Sequence, residues 1–252
     1  MTQYIVSLTT IPSKFDSLYL TIDSLYQQTL RPHLIILNIP AKYDFRLNSA
    51  VIPEEALQRF TEKYPDVIIN RIDKDYGPGT KLLGIFHNNV LKDCDPANTF
   101  IVLVDDDLIY KPFMIDRFDE THNNKAVNVF TYCPMNIYGI DYSPYFAQGS
   151  DGLFIRLNIL DRYTDYYKII KGFDYVNYHD DFYLSYFFHI TNQFIHYLIL
   201  PDGEIVYDTH VNSRIDALSS LQGKYERSNL NAEIIKILKI LNAGGAFDRI
   251  KN

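Results

Sequence analysis

The chain has 252 residues, 47% of them apolar, and a formal net charge of −7, which allows one α/β domain with a substantial core. An acidic balance without any Lys/Arg cluster excludes a nucleic-acid surface, though not a nucleotide held through its phosphates. No window approaches the roughly 18 uninterrupted apolar residues of a transmembrane segment, and residues 1–12 lack the basic and apolar parts of a signal peptide, so a soluble cytoplasmic protein is expected (a host cell's cytoplasm if the source is viral).

Taken in order, residues 4–8 read as a buried strand, and apolar positions from Phe15 to Tyr26 recur at helical spacing over 17–28. A strand over 34–39 closes on Pro40, a helix over 53–63 has proline at its start, and 67–69 is a short third strand. The turn-rich stretch 75–81 opens a helix running through Leu82, Leu83, Phe86 and Val90. The fourth strand is the apolar run from Phe100, which stops on Asp105, Asp106 and Asp107. Four strands alternating with helices predict a mostly parallel, Rossmann-like sheet flanked by helices in a single domain.

Beyond the acids, the expected elements are a helix over 112–123, strands over 126–133 and 153–157, and an irregular helical stretch over 158–177. A helix beginning near Asp180, strands over 194–200 and 205–210, and a polar, mobile segment over 219–228 follow. The last helix, 231–241, places Ile234, Ile235, Leu238 and Leu241 on one face, to pack on the body or to pair two copies in a homo-oligomer. Cys94 and Cys133, with no CxxC spacing, read as reduced thiols rather than a zinc site. The 21 tyrosines suit sugar contact, although core packing is their commoner use.

The acid triplet falls at the carboxyl edge of the sheet, where open α/β sheets bind ligands. Alternation along an extended chain points Asp105 and Asp107 one way and Asp106 the other. Two like charges facing one spot call for a cation, and Mg²⁺ or Mn²⁺ suits carboxylate oxygens and phosphates; a solvated acidic turn is the other reading. The loop 77–81 is neither a P-loop, since Thr80 precedes Lys81, nor a GxGxxG turn, yet a glycine-lined helix start carrying a lysine can hold an anion. Gln148, Gly149, Asp151 and Gly152 form a small-residue loop before a strand, a place where substrates meet a sheet. Asp180 and Asp181 stand at a helix start, where capping is the ordinary role of an acid, and His210 ends a strand.

In this order, the Ser7–Pro12 stretch, the 75–81 loop, Asp105-Asp106-Asp107, the glycine-rich loop, His179-Asp180-Asp181 and His210 resemble a GT-A fold glycosyltransferase of the family-2-like, DxD-containing kind. The resemblance covers residues 1–215, with a nucleotide-binding half (1–107) and an acceptor half (108–215), and leaves 216–252 as a C-terminal segment. It implies transfer of a hexosyl or deoxyhexosyl unit from a nucleotide-diphosphate sugar, a UDP-sugar by preference, to a glycan or other hydroxyl acceptor. By the same resemblance Asp107, Asp105 and His210 hold Mn²⁺ or Mg²⁺, and Asp105 and Asp106 lie at the donor. Thr9, Thr10 and Pro12 line the base, with Asp73 as a partner for its ring N–H and Lys81 near the ribose or diphosphate. Asp181 is the implied general base of an inverting reaction, with Asp180 as the alternative because aspartate replaces the family's usual glutamate there. Gln148, Gly149, Asp151 and Gly152 fall on the acceptor and sugar side. A haloacid-dehalogenase-like Mg²⁺ phosphatase shares a strand-end DxD and a later acid pair, although its nucleophile sits on an early strand. A non-catalytic nucleotide-sugar binder is the remaining alternative.

Overall fold

The computed structural model describes residues 2–45, 47–122, 127–132, 134–135, 146–173, 176–200, 204–210, 216 and 227–251, with backbone alone at 134, 135, 146 and 227–232. The chain opens with β1 (Gln3–Thr9), a 3-10 turn (Pro12–Ser17) and α1 (Leu18–Tyr26), then β2 (Leu34–Pro40), α2 (Glu54–Lys63) and β3 (Val67–Ile72). A second 3-10 turn (Gly77–Gly79), α3 (Thr80–Leu83) and a third such turn (Gly84–Phe86) lead to β4 (Thr99–Leu103). Next come β5 (Leu108–Tyr110), α4 (Met114–His122), β6 (Val129–Thr131), β7 (Pro134–Met135), β8 (Phe146–Ala147) and β9 (Leu153–Arg156). A 3-10 turn (Leu157–Leu160), α5 (Tyr163–Ile170), α6 (Asp180–Ile190), β10 (Ile195–Tyr197), β11 (Tyr207–Thr209), α7 (Arg227–Ala243) and α8 (Asp248–Lys251) complete it.

The central sheet has seven strands in the order β10-β6-β9-β4-β1-β2-β3. Its pairings are parallel except where β9 runs antiparallel to both β4 and β6. Ile5 is in register with Leu34 on one side and Ile101 on the other, which makes β1 an interior strand. Both faces are covered, so the strands read as continuous apolar runs. Odd positions of β1 and β4 (Ile5, Ile101, Leu103) pack with α5, α6 and α7. Even positions (Tyr4, Val6, Phe100, Val102) pack with α1, α2 and α4. The second face carries an aromatic stack, with Phe118 and Phe154 rings 4.0 Å apart and Phe100 edge-on to Phe118 at 4.9 Å.

Several expected boundaries move. The helix read through Val90 is a single α-turn followed by 3-10 geometry that ends at Phe86. Its glycine explains the tight path: a Cβ on Gly84 would lie 2.4 Å from Asn38 Oδ1. The apolar run from Phe100 leaves the sheet at Leu103, so Asp105–Asp107 form a turn before β5 rather than the end of a strand. The C-terminal helix starts at Arg227, earlier than its periodicity indicates, so the polar segment expected to be mobile is helical at 227–228; its residues 219–226 lie outside the described residues, as do Cys133 and residues 138–145 of the aromatic and glycine-rich loop read over 138–152. Ile234 and Leu238 are fully buried in the same cluster as Phe187 and Phe247, and the Tyr186 hydroxyl donates to the Leu238 carbonyl over 3.2 Å. The face that suggested a homo-oligomer is therefore occupied by the protein's own body. Tyr163, Tyr166, Tyr167, Tyr183 and Tyr186 likewise belong to the core. Among the described residues no helix is long and apolar enough to cross a membrane.

Candidate active site

The acid turn is fixed from beneath by hydroxyls and a lysine. Thr10 Oγ1 donates to Asp106 Oδ2 over 2.6 Å, and the Thr21 hydroxyl lies 2.9 Å from the Asp106 carbonyl and 2.8 Å from that of Leu108. Lys14, on the 3-10 turn after β1, places Nζ 2.8 Å from Asp107 Oδ2 and 3.8 Å from Asp106 Oδ1. Burial pulls the Lys14 ammonium down, but Asp106 and Asp107 outweigh it and its pKa rises. Burial pushes Asp106 up to about 6 against the opposing effect of Lys14.

Asp105 turns the other way. Its Oδ1 meets Lys81 Nζ at 2.8 Å, and Lys81 also reaches Asp180 Oδ2 at 3.3 Å. Lys81 is 4% exposed; desolvation alone would lower its pKa, yet Asp105, Asp180 and Asp181 hold it well above the ordinary lysine value. The lysine is aimed by a hydrogen-bonded ladder across the strand ends. Ser7 Oγ donates to the Lys81 carbonyl, Asn38 Nδ2 donates to Ser7 Oγ over 2.8 Å, and Asn70 Nδ2 donates to Asn38 Oδ1 and to the Gly84 carbonyl, each over 2.8 Å. Buried amides of this kind are stable only when satisfied on every side.

The loop before β9 closes the third side. Gly149 N donates to Asp181 Oδ1 over 2.9 Å, and a Cβ at Gly149 would lie 2.8 Å from Lys81 Nζ and 3.0 Å from Asp181 Oδ1. The Tyr110 hydroxyl accepts from Asp105 N (2.8 Å) and donates to the Ser150 carbonyl (2.7 Å), tying the acid turn to this loop. Burial, then Asp180, push the Asp181 carboxyl up to about 7, against the pull of Lys81.

Of the residues singled out in the sequence, Asp105, Lys81, Asp180, Asp181 and Gly149 come together around one ammonium. Thr10, Asp106, Asp107 and His210 form the adjoining group. Thr9 hydrogen-bonds the Asn38 carbonyl over 2.8 Å, Pro12 starts the turn that carries Lys14, and Asp73 is exposed past the end of β3. Gln148 is half-buried beside Gly149. Asp151 is buried against the Ser150 hydroxyl at 2.8 Å, and Gly152, at φ +81°, passes close to Met114. Lys14, Tyr110 and Asn38 join the site without any motif in the sequence, since a lone lysine in a turn and an asparagine inside an apolar strand belong to none. The interrupted apolar run at Asn38 is the one available signal, since an amide there demands a buried partner.

The expected alternation of the three acids fails because they lie in a turn, and Asp106 and Asp107 share Lys14 while Asp105 faces Lys81. The expected metal donors do not fit a divalent cation as placed. Among the described residues no three His, Cys, Asp or Glu side chains are grouped so as to hold a metal ion. His210 Nε2 lies 3.4 Å from the Asp106 carbonyl, so that nitrogen faces the backbone of the acid turn and not the Asp105 and Asp107 carboxylates. Asp107 and Asp105 are each already paired with an ammonium.

No protein-family model and no curated protein sequence matches the chain. Solved structures do: S. aureus TarS residues 1–349 in complex with UDP superimposes with a TM-score of 0.52 at 13% identity, over 82% of this chain and 60% of that one. The structure of S. aureus TarS, a GT-A-type glycosyltransferase, gives a TM-score of 0.54 at 12% identity, over 96% of this chain and 39% of that one. This chain thus spans less than two thirds of the length of these neighbours. The shared fold is GT-A, as expected from the order of the motifs.

Proposed function

We propose that this chain is a nucleotide-sugar glycosyltransferase that moves a sugar from a UDP-sugar to an acceptor hydroxyl with inversion, with Asp181 as general base. The observation that carries the reading is Lys81, whose ammonium joins Asp105 of the acid turn to Asp180 at the start of α6, with Asp181 a charge neighbour, at the carboxyl edge of the sheet. Likeness to a fold crystallised with UDP supports the choice of nucleotide.

The chemistry asks for a base near neutral pKa, because an acceptor hydroxyl keeps its proton until it attacks. A carboxyl raised to about 7 is matched to that task at neutral pH. Asp181 takes the acceptor proton as its oxygen bonds to C1 of the sugar; the C1–O bond to the diphosphate breaks and its electron pair leaves with UDP. Attack opposite the leaving group inverts the anomeric centre. The Gly149 N–H fixes the Asp181 carboxylate by donating to one of its oxygens, and the other oxygen, with no hydrogen-bond donor among the described residues, takes the acceptor proton.

A panel of UDP-, GDP- and dTDP-sugars, read by thermal stabilisation and by release of nucleotide with a simple sugar acceptor, tests the reading. Stabilisation by UDP-sugars and a product of inverted configuration by NMR are expected. Hydrolysis of a phosphate monoester with no response to any nucleotide sugar would reject it.

A further inference from the structure

The site carries two lysines where the resemblance calls for a divalent cation. Lys14 is 7% exposed and Lys81 4%, and burying an ammonium is costly unless the surroundings require the charge. Neither is a helix-surface residue that drifted inward. Lys14 is anchored by its own turn, where Ser17 Oγ donates to its carbonyl over 2.9 Å, and Lys81 by Ser7.

We propose that Lys14 and Lys81 supply the positive charge that meets the donor diphosphate, so that donor binding needs no divalent metal. The inference rests on the nucleotide-sugar reading above. An ammonium has three donor hydrogens. Among the described residues the Lys14 ammonium makes one hydrogen bond, to Asp107 (2.8 Å), with Asp106 a charge neighbour at 3.8 Å. Lys81 contacts two carboxylates, Asp105 at 2.8 Å and Asp180 at 3.3 Å. Each therefore keeps a hydrogen for a phosphate oxygen. A divalent ion bound to Asp107 would share that carboxylate with the Lys14 ammonium, and the two cations would repel at close range in a buried setting. In this arrangement the acids are tethers that hold two point charges in position, and lysine as a point charge is a common partner of phosphate.

The test is UDP binding by calorimetry to the full chain in EDTA and in Mn²⁺, with bound Mn²⁺ counted by electron paramagnetic resonance. UDP affinity is expected to agree within about 3-fold between the two conditions, with no stoichiometric Mn²⁺ signal. Lys14→Met should weaken UDP at least 10-fold in EDTA, and Lys14→Arg should restore most of the loss. Because Lys14→Met strands Asp107, the pair Lys14→Met/Asp107→Asn keeps the local charge balanced and should show the same loss. A more than 10-fold gain in affinity with one Mn²⁺ bound, or undiminished binding by the paired variant, would overturn the inference while leaving the transferase reading standing. UDP binding in neither condition would overturn both.

Discussion

Gly149 and Asp181 are joined by a 2.9 Å hydrogen bond from the glycine amide, and the same glycine leaves the space through which Lys81 approaches the acids. A side chain there would collide with both charges. Gly149→Ala is expected to reduce kcat by about 10- to 100-fold, because sub-ångström displacement of a base is costly to catalysis, with little change in melting temperature. Steady-state kinetics beside a thermal melt checks both halves.

Asp181→Asn should reduce kcat by roughly 10²- to 10⁴-fold and leave UDP binding within a few-fold of the parent. Wild-type turnover in Asp181→Asn would remove that residue as the base, and the same measurement on Asp180→Asn would then test its neighbour.

The pH dependence has a definite sign. The Asp181 pKa is raised in the folded protein, to about 7, so the carboxylate form needed for proton abstraction accumulates as pH rises. The acidic limb of kcat should climb through about pH 7. Linkage runs the opposite way: the folded state binds the proton more tightly than the unfolded chain, so this group's stabilisation is complete below the ordinary carboxylate pKa and is lost as pH rises through about 7. At pH 8 Asp181→Asn should therefore melt higher than wild type, by about 1 kcal/mol in stability. Chemical denaturation of the two proteins at pH 5 and pH 8 separates this from a uniform effect.

Asn38→Leu removes the middle of the strand-end ladder, leaving Ser7 and Asn70 without their partner. A loss of about 2–4 kcal/mol is expected in urea unfolding, and the surviving folded fraction should show reduced turnover because the Lys81 carbonyl is held by Ser7.

Leu238→Ala should cost about 2–4 kcal/mol, since Leu238 is fully buried among residues of the main core. Little or no change would mean that α7 is an appendage. Sedimentation of the same variant should show no change of oligomeric state.

The sheet is legible in the sequence because both of its faces are covered: β1, β2 and β4 are nearly unbroken apolar runs, and short runs of that kind bounded by turns belong to strands buried on both sides. Asp105, Lys81, Asp180 and Asp181 are legible as candidates because each interrupts or abuts such a run. Direction is not legible. Whether Asp105 sides with Asp107 or with Lys81 depends on whether the chain stays extended through Asp107, and β4 stops at Leu103. Lys14 is invisible for a different reason: a surface lysine and a buried one look alike until the turn that carries it is folded against the acids. The length of the helix after Lys81 is hidden in the same way, because Gly84 fits against Asn38 only through tertiary contact.

The ladder of Ser7, Asn38, Asn70 and Asn88, the last donating to Asn70 Oδ1 over 2.8 Å, is made wholly of uncharged groups. None of them titrates in any range where the chain is folded, and ionic strength screens none of them as it would an exposed ion pair. The backbone under Lys81 is thereby insulated from acid and salt, and the response of this protein to either should come from its ionisable side chains, its seven histidines included.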